Sequence, residues 1–327
     1  MLNIAPLLTD VFGSGVNLIS FEPRGVNNTG PALDCFPNDP ATKAIFEPQY
    51  YRIIADTPDN IASQFYLAES FGQWCNSVIG GPNGTARYVN TPAVAHGMLA
   101  FAELAHATRG KPNADAKLGF AGFSYGRVLG ATFSTMFPDC IGRFILDGVV
   151  DGEDYYEGSW SKSLIDTDKV VDGLISSCLA AGKEACPLYE DSFEAIEYRL
   201  SNILTKLKQH SIPHPTQKIV QILIDLEQGR GESLIASKKI VLGAHYSKEA
   251  SYNSVQGTRR ASTFFPDSGL VEIDSIGYTR LGAPSKCAFK EMRNYLSGAS
   301  PLPFVSCKPN EVPFQNKLEG LALLAEI

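Results

Sequence analysis

The chain has 327 residues, of which 44% are apolar and 19% charged, and a net charge of −7. That is enough apolar material for one larger α/β domain with an inserted lid, and too much for wholesale disorder. No Lys/Arg block or basic stripe is present, so no nucleic-acid partner is expected; no run of about 18 apolar residues occurs, so no membrane span is expected.

In chain order, residues 17–21 (Asn-Leu-Ile-Ser-Phe) read as a strand stopped by Glu22-Pro23-Arg24-Gly25, and the Asn/Gly/Pro cluster after it reads as a loop. Residues 41–71 carry Ile45, Tyr51, Ile54, Ile61 and Phe65 at helical spacing. Residues 72–92 are rich in Gly, Pro and Asn and read as a loop. Thr91-Pro92 then opens a helix through about His106, proline being suited to the first helical position. Residues 118–121 predict a strand, 127–136 a helix and 144–150 a second buried strand. From 151 to about 237 the texture changes: 170–179, 192–207 and 219–226 are helical, with few strand runs. Residues 240–242 and 270–273 return as strands and 287–296 as a closing helix. The alternation predicts an α/β fold, with a mostly parallel sheet flanked by helices. In this reading residues 1–150 are the N-terminal part of the core, 151–237 a helical cap, and 238–327 the C-terminal part of the core with a Cys-containing tail.

Seven cysteines are present, and none is spaced as C-x-x-C, so no zinc site is expected. Disulfides and buried thiols both fit the count. If bridged, Cys178 and Cys186 close a small loop over an Ala/Gly segment, and Cys287–Cys307 spans the last helix and a Pro-rich tail. Cys35–Cys75 is the third expected pair, with Cys140 left over. Asn27-Asn28-Thr29 and Asn83-Gly84-Thr85 match the N-x-[ST] acceptor pattern and fit an extracellular history. The start, Met1-Leu2-Asn3-Ile4-Ala5-Pro6, has neither a basic nor a long apolar region, so no signal peptide is expected in it.

The most informative motif is Gly122-Phe123-Ser124-Tyr125-Gly126, set directly after an apolar run and before a helical stretch. In a G-x-S-x-G elbow the serine occupies a strained strand-to-helix turn, and both flanking positions are expected to need glycine because a side chain there would strike backbone. The helix behind it favours developing negative charge, and the N–H of Tyr125 is the expected oxyanion donor.

The wording around the elbow is more specific than the motif. Gly122–Gly126, then Val128-Leu129-Gly130-Ala131-Thr132-Phe133, Met136-Phe137-Pro138-Asp139 and Leu146-Asp147-Gly148-Val149-Val150-Asp151, resembles the fungal tripeptidyl-aminopeptidase-like α/β-hydrolases, relatives of proline iminopeptidases. Ser20-Phe21-Glu22-Pro23-Arg24-Gly25-Val26, Phe264-Phe265-Pro266-Asp267-Ser268, Ala283-Pro284-Ser285-Lys286-Cys287 and the tail from Cys307 to Phe314 are similar to other parts of that family. The resemblance implies an α/β-hydrolase fold with an inserted helical cap, ester or amide (exopeptidase-like) hydrolysis through Ser124 with no metal or cofactor, a peptide or small-molecule substrate, and often secretion with disulfides.

Three positions depart from the family pattern. Where the family has Gly-His, Gly277 is followed by Tyr278, a phenol only about 0.1% ionised at pH 7 and a poor base there. After 240–242 comes Gly243-Ala244-His245-Tyr246-Ser247-Lys248-Glu249, with no Asp in the place of the family's acid. The family's Gly-Gly-Pro-Gly loop precedes the part that matches residues 2–25, and Gly13-Ser14-Gly15 reads as a turn instead. Removing one triad member costs about 10⁴–10⁶ in rate.

His245 is therefore a substitute base, and Glu249 and Asp147 are substitute acids, with Asp151 a further carboxylate or else a helix cap. His96 and His106 read as surface or packing residues. His210 and His214 have helical spacing, but Pro213 and Pro215 spoil the helix. Trp74 and Tyr155-Tyr156 read as packing, or as the lining of a pocket under the cap. Three readings follow: a serine hydrolase, impaired but working through Ser124; a catalytically decayed or repurposed member that binds a small molecule or assists fungal secondary metabolism; and an incomplete gene product of an active hydrolase.

Overall fold

A computed structural model describes residues 8–9, 12–13, 15–50, 58–159, 162, 165, 167–209, 255–275 and 284–310. Its elements are α1 (Pro40–Tyr50), α2 (Pro58–Ile79), α3 (Thr91–Ala107), β1 (Leu118–Phe123), α4 (Tyr125–Met136), β2 (Ile141–Asp147), α5 (Gly152–Tyr156), α6 (Thr167–Ala181), α7 (Phe193–Gln209), α8 (Val255–Thr263), β3 (Leu270–Ile273), α9 (Lys286–Leu296) and β4 (Phe304–Cys307). Among the described residues the strands form two small sheets, β1–β2 and β3–β4, rather than one continuous hydrolase sheet. The runs at 219–226 and 240–242 lie outside the described residues, as do His210, His214, His245, Glu249 and Tyr278. The chain divides into two compact units.

One unit holds residues 19–118 and 131–142. The loop expected over 72–92 is in its first part helix, because α2 runs on to Ile79. Gly72 costs an exposed helix only about 1 kcal/mol, and tertiary contacts offset that. Cys75 is bridged to Cys35, and the Trp74 indole donates to the Cys35 carbonyl at 2.6 Å. Phe36 stacks on Phe71 and Trp74 beside this bridge, so Trp74 has a packing role. α3 begins where expected: Asn90 caps it by accepting from the Ala93 N–H at 2.9 Å, Pro92 sits in the first turn, and Val94, Ala95, Met98 and Ala102 form its buried face. His96 packs edge-on against Phe137. Residues 17–21 are not a strand; the apolar run has no ladder partner among the described residues, and Leu18, Ile19 and Phe21 are exposed.

The other unit holds residues 1–18, 119–130 and 143–327. β1 passes through α4 to β2, the helical crossover that parallel strands need. Gly119 approaches Arg143, and the Phe120 and Phe144 rings meet at 5.4 Å, the same offset along both strands. A constant offset is the mark of parallel register. β2 ends at Asp147 rather than 150 because Gly148 turns left-handed at φ +73°. A cluster of Phe12, Ile145, Phe289 and Met292 packs this region.

α6 and α7 pack around Ile175, Cys178, Cys186, Leu188, Ile196 and Ile203, with the Cys178–Cys186 bridge inside that core. β3 and β4 pair in parallel, Leu270 opposite Phe304 and Ile273 opposite Cys307. The tail expected after 296 thus supplies a strand, and Cys287–Cys307 ties it to α9. Ser285 caps α9 and donates its hydroxyl to the Lys308 carbonyl at 2.7 Å. All three expected disulfides are present, and Cys140 is free.

Candidate active site at the Ser124 elbow

Ser124 joins β1 to α4 with φ +53°, left-handed backbone that a residue with a Cβ rarely adopts. Such a conformation costs about 1–3 kcal/mol and persists only where its surroundings over-determine it. Here the turn closes through the Arg127 N–H, which donates to the Ser124 carbonyl at 3.1 Å. The bend is tight enough that a Cβ on Gly122 would lie 2.5 Å from the Gly126 carbonyl oxygen and 2.6 Å from its carbon. Gly122 is therefore a steric requirement of the elbow.

Gly126 is not. A Cβ there would meet only the Phe120 ring, at 3.9 Å, which is ordinary contact. The second glycine of the motif lends its backbone to the close approach and has room for a side chain. The position that sequence reading missed is Gly130, whose Cβ would strike the Leu146 side chain and come within 2.8 Å of the Phe120 ring. Gly122, Gly126 and Gly130 recur every four residues, and that repeat was the available signal.

Ser124 is exposed and stands at the N-terminus of α4. Amide groups at a helix N-terminus point out of the helix, and the helix dipole favours an anion there. The Tyr125 N–H belongs to this first turn. Asp147, expected from the sequence as a substitute acid, is buried at the carboxyl end of β2.

Asp151 has a different occupation. Its carboxylate caps α5 by accepting from the Asp154 N–H at 3.1 Å, and it meets Lys162 Nζ at 3.4 Å and Arg260 Nη1 at 3.2 Å. Arg260 also pairs with Glu153, Thr258 donates to the Val149 carbonyl at 3.1 Å, and Arg259 grips Glu272 of β3 through two contacts. α8 therefore binds the segment after β2 on one side and β3 on the other. Sequence reading missed this helix, which is mainly polar; the Arg259-Arg260 doublet was one available signal.

Burial pushes the Asp151 carboxyl up, but the Asp154 N–H, the Lys162 bond and the Arg260 charge together hold it below its ordinary value of 3.8. A depressed carboxyl stabilises the fold fully above the unfolded value and loses that contribution as pH falls through the folded one. Asp151→Asn keeps a capping side chain and removes the charge. It is expected to lower stability at pH 7 by about 1 kcal/mol, because both cations are more than a third exposed and solvent screens them. Its melting temperature should also fall less than that of the wild type between pH 5 and 3 in thermal scans. Parallel curves at all pH values would refute this account.

No family model matches the chain. It is 27% identical over 157 residues to a tripeptidyl aminopeptidase of Streptomyces lividans, a match covering 48% of this chain and 26% of that protein. It is 30% identical over 184 residues to the serine protease Hip1 of Mycobacterium tuberculosis, covering 55% of this chain and 32% of that protein. The chain thus spans about a quarter to a third of the length of these curated relatives. A fungal source is not carried by these matches. Over about half its length the chain is similar to serine peptidases, and kinship at this level supports a peptidase-like hydrolase.

Proposed function

We propose that the chain is a serine hydrolase of peptidase type, acting on peptide, amide or ester bonds with Ser124 as nucleophile and at a low rate. The observation that carries this reading is the left-handed turn at Ser124 between strand and helix. In the proposed cycle the Ser124 Oγ bonds to the substrate carbonyl carbon while its proton passes through a base to the leaving nitrogen or oxygen. The Tyr125 N–H holds the oxyanion. Water then cleaves the acyl-serine ester, releasing the acid and restoring the hydroxyl.

His245 is the proposed base and Asp147 or Glu249 the proposed acid. Residues 151–237 are the proposed cap over an α/β-hydrolase core, and peptides are the proposed substrate class. The low rate follows from Tyr278 standing where the family has its histidine.

The test is fluorophosphonate labelling of the wild type, Ser124→Ala and His245→Ala in parallel. Labelling of the wild type, its loss in Ser124→Ala and its slowing in His245→Ala are expected. Equal labelling of His245→Ala removes His245 as base. A folded wild type that takes no probe overturns the hydrolase reading in favour of a repurposed binding protein.

A further inference from the structure

The two N-x-[ST] triplets are not used by the reading above, and the structure places them in different settings. Both lie in the unit that carries the Cys35–Cys75 bridge. Three disulfides in one chain are characteristic of proteins matured in an oxidising compartment, where in eukaryotic cells the same triplets receive N-linked oligosaccharide.

At the first triplet the acceptor groups are engaged by the local turn. Asn27 is left-handed at φ +49°, and its carboxamide nitrogen donates to Glu22 at 2.6 Å. The Thr29 hydroxyl donates toward the Pro23 and Val26 carbonyls at 2.5 and 2.8 Å. All these partners lie within six residues, so the turn can form as soon as the segment is made and competes for the carboxamide and hydroxyl that a transferase must engage.

The second triplet is built differently. It follows α2 in a turn held by backbone: Gly81 is left-handed at φ +77°, the Gly84 N–H donates to the Gly81 carbonyl at 3.1 Å, and Arg87 donates to the Pro82 carbonyl. Asn83 and Thr85 are both exposed on it. The turn is thus shaped by main chain and by Arg87, with the acceptor amide and the hydroxyl directed by neither.

We propose that Asn83 is an N-glycosylation site. The donor class is a lipid-diphosphate oligosaccharide. The bond from sugar C1 to the diphosphate oxygen breaks, a bond from C1 to Asn83 Nδ2 forms, the amide gives up one proton, and the lipid diphosphate leaves.

The experiment routes the full chain through a eukaryotic secretory pathway and reads cell-associated and secreted protein alike by gel mobility, with and without peptide:N-glycosidase. The wild type should carry a glycan-sized step that the glycosidase removes. Asn83→Gln and Thr85→Ala should lose that step entirely; Thr85→Ser, which preserves the triplet, and Asn27→Gln should retain it. A wild type without the step, or an Asn83→Gln chain that migrates with the wild type before digestion, overturns the proposal. Neither outcome depends on whether Ser124 is active.

Discussion

Tyr278→His is expected to raise the rate at which Ser124 is acylated by about 10²–10⁴-fold, the usual contribution of a positioned general base. At pH 7 a phenol with pKa about 10 is almost wholly protonated, whereas an imidazole with pKa about 6.5 is mostly the neutral base. The pH profile supplies an independent reading. The variant's rate should rise through about pH 6.5 and level off, and the gain should persist in His245→Ala/Tyr278→His, because the new imidazole replaces the proposed base. The double variant Ser124→Ala/Tyr278→His must fall to background, because the gain acts through the serine hydroxyl. Measured against an activated ester and a peptide anilide, an unchanged rate would show that position 278 does not serve Ser124.

Gly122→Ala should be the most damaging of the glycine-to-alanine changes at the elbow, and Gly126→Ala, two residues beyond the serine, should be nearly harmless. The methyl at 122 meets main-chain atoms of Gly126 at 2.5 and 2.6 Å, and no rotamer can move them. Relief requires opening the elbow, at a cost of about 3 kcal/mol. Displacement of the hydroxyl by about 1 Å would slow labelling by about 10². At 126 the methyl has a 3.9 Å neighbour and lies within α4, so alanine should be neutral or stabilising by up to about 1 kcal/mol. Gly130→Ala falls between them, because the atoms in its way are the ends of the Leu146 and Phe120 side chains, which can shift. Chemical denaturation and probe-labelling rates on the three variants check the order. Equal losses at 122 and 126 would contradict the steric account.

The contrast between those two glycines also shows how far a motif can be trusted. The motif marks both positions alike. Only the path of the backbone after the serine decides which glycine is pressed and which does the pressing. The carboxylates divide in the same way. Asp147 and Asp151 are equivalent in sequence as acids following a strand. Asp147 is buried at the end of β2, while Asp151 is committed to a helix cap and two cations.

What the residues alone determined is what depends on near neighbours. The serine turn follows from a glycine two positions before it, α3 from Asn90-Thr91-Pro92 and a buried stripe, and α6 and α7 from their own apolar periodicity. The Cys178–Cys186 loop was legible because so few residues separate its ends. The tertiary structure decided the rest. The run at 17–21 has strand-like composition without a partner to pair with among the described residues, and β4 has a partner but only four residues between Pro303 and Lys308 to announce it. α8 is held by ion pairs to residues more than a hundred positions away. Strand pairing and charge pairing across such distances are properties of which segments meet, and no local pattern of side chains encodes that meeting.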